Sequence, residues 1–133
     1  MSVSKSATTV FVSGASGFIA QNVIKQLLAN GYKVIGSVRS ESKGKELTDI
    51  IQSNDFQFAV IPDISAVGAF DDVLKSNSQI SVFIHTASPV TYSAKDVQNE
   101  LIKPAVEGTR NALNAIKLYG PQIKRVVVTS SFT

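Results

Sequence analysis

Residues 10–20 read Val-Phe-Val-Ser-Gly-Ala-Ser-Gly-Phe-Ile-Ala, and no other stretch of this chain limits its possible folds so sharply. An apolar run of β-formers breaks into a turn containing Gly14 and Gly17, and a helical pattern begins at once. Ile19, Val23, Ile24, Leu27 and Leu28 then recur at helical spacing. The two glycines stand where the backbone turns tightly and lets an anion approach its N–H groups. The helix that follows points its positive N-terminal end at the same place. A diphosphate suits such a site, so the motif implies a dinucleotide.

The same alternation continues along the chain. The patterning predicts strands over 8–13, 33–38, 56–61, 80–86 and 125–129. It predicts helices over 18–30, 41–53, 66–76 and about 94–119. Gly31 is placed to end the first helix, Pro62 the third strand and Gly120-Pro121 the last helix. Pro104 lies inside that long helical pattern, placed to kink or divide it. Near-continuous apolar strands between amphipathic helices specify an α/β fold with a parallel sheet covered on both faces. Right-handed crossovers make it a Rossmann-type doubly wound sheet of order 3-2-1-4-5. No repeat, low-complexity stretch or linker divides the 133 residues, which read as one dinucleotide-binding domain, 1–133.

Composition removes several function classes. The chain has no cysteine and one histidine, so disulfide scaffolds, thiol nucleophiles and His/Cys metal sites are excluded. Absence of cysteine fits a cytoplasmic protein. No apolar run approaches the roughly 18 residues of a membrane span, and Val10-Phe11-Val12 is too short for a signal segment. The net charge of +3 comes from lysines scattered along the chain, with no basic block, so neither nucleic acid nor a membrane is expected as partner.

Gly14-x-x-Gly17-x-x-Ala20 follows a strand, opens a helix and precedes a second strand end by about 20–25 residues, the context a dinucleotide fingerprint requires. Ala20 replaces a third glycine whose main use is close helix–strand packing. At the end of the second strand, an NAD site usually carries a carboxylate for the adenosine ribose. Here stands Ser37-Val38-Arg39-Ser40, with Lys43 a helical turn further on. A guanidinium suits a 2′-phosphate bidentately and a lysine adds a point charge, which favours NADP(H). The plain alternative makes Arg39 and Lys43 surface charges paired with Glu41 or Glu46.

Three further segments fall on the same rim. Asp63 is placed to accept from an adenine amino group while Ile64 packs on the ring; alternatively Asp63 or Ser65 caps the next helix. His85-Thr86-Ala87-Ser88-Pro89 is small and polar where the ribose passes. His85 itself reads as a packed residue at a strand end rather than a base. Val126-Val127-Val128 runs into Thr129-Ser130-Ser131, where a hydroxyl either meets a substrate carbonyl or closes an ST-turn.

Together these segments resemble the extended short-chain dehydrogenase/reductases. The resemblance is strongest to fungal NADPH-dependent carbonyl reductases of the methylglyoxal/isovaleraldehyde and dihydroflavonol reductase-like kind. It is carried in order by Val10–Gln21, Tyr32–Ser40, Val60–Ser65, His85–Pro89, Ile102–Thr109 and Arg125–Ser131. It implies a pyrophosphate loop at Ser13, Gly14, Ala15, Ser16, Gly17, Phe18 and Ile19, and a 2′-phosphate clamp at Arg39 and Lys43. It also implies adenine contacts at Asp63 and Ile64, a ribose segment at Thr86, Ala87 and Ser88, and a carbonyl-orienting catalytic Ser131. The substrate class it implies is a small aldehyde or ketone, reduced to an alcohol by hydride transfer.

The chain departs from that family in one respect. None of Tyr32, Tyr92 and Tyr119 begins the Tyr-x-x-x-Lys of the proton donor. The expectation is therefore a fragment or truncated form of a longer reductase, incomplete in its sheet and inactive alone. Two other readings share the cofactor half. One is an NAD-dependent sugar-nucleotide epimerase or dehydratase, against which Arg39 argues. The other is a non-catalytic nucleotide-binding module.

Overall fold

The computed structural model describes residues 8–64, 66–86 and 103–128. Its elements are β1 (Thr9–Ser13), α1 (Phe18–Ala29), β2 (Lys33–Val38), α2 (Glu41–Ile51), β3 (Phe56–Val60), α3 (Asp71–Ser76), β4 (Ile80–His85), α4 (Lys103–Tyr119) and β5 (Arg125–Val128). The five strands pair in parallel in the order β3-β2-β1-β4-β5, as the apolar strand runs and crossover rule require. β1 is the middle strand, and all five of its residues are buried. The sheet is an incomplete Rossmann sheet relative to longer members of its fold.

Alternation along β1 sends side chains to two separate cores. Phe11 joins Ile35, Phe70, Phe83, Ala112 and Ala115 on the face covered by α3 and α4. Val10 and Val12 join Ala20, Ile24, Val34 and Leu47 on the face covered by α1 and α2. In the first core Phe11, Phe70 and Phe83 form a triad with centroid separations of 4.9–6.2 Å. Each such fully buried ring stabilises by about 1.5–3 kcal/mol through removal from water. In the second, Ala20 is buried against the sheet, so its methyl serves the packing role anticipated for a third glycine.

α1 ends where anticipated: Gly31 takes φ +88° and its amide donates to the Leu28 carbonyl at 3.1 Å. The helix expected over 66–76 is shorter, however, and begins only at Asp71. Gly68 adopts φ +77°, a left-handed conformation that breaks the helical path, and successive turns occupy 66–70. The α3 N-cap is consequently Phe70, so Asp63 is not its cap. Of the long helix expected over 94–119, residues 94–102 lie outside the described residues.

Candidate functional site

The parallel strands bring their carboxyl ends to one rim, with Ser13 of β1 beside His85 of β4 and Val12 beside Gly36 of β2. Between Ser13 and α1 the chain makes its turn with Gly14 at φ +67°, a conformation that favours glycine. β2 holds this turn from below. The Gly14 amide donates to the Ser37 hydroxyl at 3.0 Å, and the Ala15 amide donates to the Ser37 carbonyl at 2.8 Å. Ala15 is fully buried, and a Cβ on Gly36 would come within 2.5 Å of its methyl, so the strand needs glycine there. The Gly17 amide closes the turn onto the Gly14 carbonyl at 3.1 Å.

These bonds sort the amides of the predicted pyrophosphate loop. Gly14, Ala15 and Gly17 spend theirs on the protein itself. The first helical bond runs from the Gln21 amide to the Gly17 carbonyl, so the amides of Phe18, Ile19 and Ala20 have no protein partner among the described residues. The Phe18 and Ile19 residues stand 83% and 63% exposed. No acidic side chain occupies the first turn of α1, and no side chain caps it. Its positive end is therefore not neutralised by the helix's own side chains, a donor set that fits an anion. Ser16 is exposed, and its carbonyl accepts from Gln21 Nε2 at 2.8 Å, which fixes the turn from outside.

Arg39 follows β2 directly and is exposed, as is Lys43 in the first turn of α2. Ser40 caps this helix by accepting from the Lys43 amide at 3.3 Å, holding the two cations on either side of the cap. Glu41 pairs instead with Lys45 at 3.9 Å, and neither Arg39 nor Lys43 enters an ion pair among the described residues. Of the plain alternative, the exposed position of both cations is seen, but no ion pair to Glu41 or Glu46 is. The Ile61 amide donates to the Val38 carbonyl at 2.8 Å, so Pro62, Asp63 and Ile64 leave the sheet beside Arg39.

On the other side of β1, Ser13 is the hub of a buried network. Its hydroxyl lies 2.8 Å from His85 Nδ1 and accepts from the Thr86 amide at 3.0 Å, while the Thr86 hydroxyl donates to the Ser13 carbonyl. His85 is 4% exposed, with Phe70 and Phe83 against its ring and Thr109 Oγ1 3.4 Å from Nε2. Burial lowers its pKa from the ordinary value. His85 is thus the packed strand-end residue anticipated from the sequence, and it ties the rim to α4. Among the described residues no group of acidic residues and histidine is arranged to hold a metal ion.

Of the sites read from the sequence, the structure gathers Ser13 to Ile19, Arg39, Lys43, Asp63, Ile64 and Thr86 on one rim. Ala87, Ser88 and Ser131 lie outside the described residues. Sequence reasoning missed Ser37, Gly108, Thr109 and Asn111. Ser37 was visible only as a polar residue at a strand end. Gly108 carried a usable sign, since a glycine inside a helix lowers its stability and marks close approach.

A model of the NAD dependent epimerase/dehydratase family matches residues 10–133, which includes every element of this rim. The chain belongs to that family. Within it, the NADPH-dependent methylglyoxal reductase of Saccharomyces cerevisiae is 46% identical over 127 residues, covering 93% of this chain and 37% of its own. The crystal structure of yeast methylglyoxal/isovaleraldehyde reductase complexed with NADPH superposes with a TM-score of 0.90 at 44% identity, covering 93% of this chain and 37% of that one. The Candida albicans reductase in complex with NADPH gives 0.89 at 48% identity, with the same coverage. This family member spans about two fifths of the length of the curated relatives it matches, 39% and 37% for two of them. None of its described helices is long and apolar enough to cross a membrane.

Proposed function

We propose that this chain is the NADP(H)-binding part, residues 1–133, of an oxidoreductase that reduces small aldehydes or ketones to alcohols. The observation that carries the reading is the pair of exposed cations, Arg39 and Lys43, standing without carboxylate partners where an NAD site would place an acid. They flank the start of α2 on the rim that also holds the unspent amides of Phe18 and Ile19. In this reading those amides hold the pyrophosphate, with Ser13, Gly14, Ala15, Ser16 and Gly17 shaping the loop around it. Arg39 grips the 2′-phosphate through two parallel N–H bonds and Lys43 adds charge. Asp63 and Ile64 take the adenine, and Thr86, Ala87 and Ser88 border the ribose. The bound cofactor supplies a hydride to the carbonyl carbon. Ser131 orients the carbonyl oxygen, whose proton comes from a group outside these residues. NADPH-dependent relatives support the reading, and the cysteine-free composition fits a cytoplasmic setting.

Titration of the chain with NADPH and NADH, followed by reduced-nicotinamide fluorescence, tests it. NADPH is expected to bind the more tightly. Equal affinity, or a preference for NADH, overturns the assignment.

A further inference from the structure

α4 grips the segment that leaves β3. Asn111 is 8% exposed, and its Nδ2 donates both hydrogens to that segment, to the Ile64 carbonyl at 2.9 Å and the Ala66 carbonyl at 2.8 Å. Gly108 lies three residues earlier on the same helix face. A Cβ there would come within 2.7 Å of Ile64 Cδ1 and 3.0 Å of its Cγ1, so the missing side chain is the seat of Ile64. The other end of the segment is fixed by the bond from the Ile61 amide to the Val38 carbonyl. The segment is therefore pinned at four points: the sheet, the Ile64 side chain and the Ile64 and Ala66 carbonyls.

We propose that Gly108 and Asn111 are positioning residues that set Asp63 and Ile64 against the adenine of the dinucleotide, and so determine recognition of the base. The inference rests on the cofactor reading above. Both residues are buried and act only through the segment they hold. A shift of its backbone moves the Asp63 carboxylate and the Ile64 side chain together, while Arg39, which follows β2 directly, stays in place.

The test compares the affinity of the chain for NADPH with that for its hypoxanthine analogue, which lacks the adenine amino group, in wild type, Asn111→Leu and Gly108→Ala. Wild type is expected to prefer adenine by about tenfold, the worth of one well-placed hydrogen bond. In both variants that preference falls toward equality, while the preference for NADPH over NADH persists. General destabilisation moves both dinucleotides alike and leaves the ratio unchanged. Asn111→Leu strips two carbonyls of their donor and endangers the fold, so Gly108→Ala carries the test independently: its methyl meets Ile64 at Cδ1, Cγ1 and Cβ and presses the side chain back on its own segment. Variants that keep the wild-type ratio, or a wild type that binds both bases equally, overturn the inference. A wild type that fails to bind NADPH overturns the cofactor reading and the inference with it, a result distinct from tight NADPH binding with an unchanged base preference.

Discussion

The Ser13 hydroxyl stands 2.8 Å from His85 Nδ1, joining the carboxyl ends of β1 and β4 across 72 residues of chain. Because burial holds the His85 pKa below its ordinary value near 6.5, the folded chain takes up this proton less readily than the unfolded chain. Stability from the neutral imidazole is then complete above the unfolded value and lost as the pH falls beneath it, toward the folded value. The chain has no other histidine. Urea unfolding from about pH 7.5 down to about pH 5.5 should show declining stability in wild type and a flatter profile in His85→Gln. Coincident slopes would show that His85 is not the group responsible.

Arg39→Ala should weaken NADPH binding by about 1.5–3 kcal/mol, roughly 10- to 100-fold, the worth of hydrogen bonds to a charged group. NADH binding should change little, because in the proposed reading the lost side chain faces only the extra phosphate. Lys43→Ala should act in the same direction with a smaller effect and a stronger salt dependence, as a point charge in solvent does. Isothermal titration at two ionic strengths separates the two contributions.

Ser37→Ala removes the acceptor of the Gly14 amide while leaving the carbonyl that holds Ala15. The orphaned amide should cost about 1–3 kcal/mol of stability. The turn loosens on one side, so NADPH affinity should fall as well. Ser37→Ala that binds NADPH as wild type does would show that the turn keeps its shape without this bond.

Gly44→Ala should destabilise the chain although alanine is the better helix former by about 1 kcal/mol. A Cβ at this buried position of α2 would overlap the Phe58 ring on β3. The expected loss is about 1–3 kcal/mol, as for other overpacked cores. The double variant Gly44→Ala with Phe58→Leu should recover part of it, measured as a thermodynamic cycle by urea unfolding.

What could be read from the sequence followed how local each signal was. The strands and the turn after β1 rest on patterns within about ten residues, the strand order on the crossover rule applied to their alternation, and all hold. The exposed cations Arg39 and Lys43 were legible because a missing carboxylate at a strand end is itself a local sign. The helix beginning at Asp71 was misjudged because Gly68 spoils an otherwise helical stretch, and its left-handed conformation is a choice of the fold rather than of composition. The bonds from Gly14 to Ser37, from Asn111 to Ile64 and from Ser13 to His85 span 23, 47 and 72 residues. No window of sequence contains both ends of any of them, so the parts of the site they shape emerged only in three dimensions.

β1 is made first and sits in the middle of the sheet, between a partner that follows soon and one that follows late. During synthesis, residues 9–38 already contain the glycine turn and its Ser37 support. The opposite wall waits until β4 emerges. For that interval one edge of β1 has no strand beside it and is open to pairing with a wrong neighbour. The central place that buries β1 in the finished molecule thus also ties one of its two strand pairings to a partner far along the chain, and non-local contacts of that kind are intrinsically slow to form.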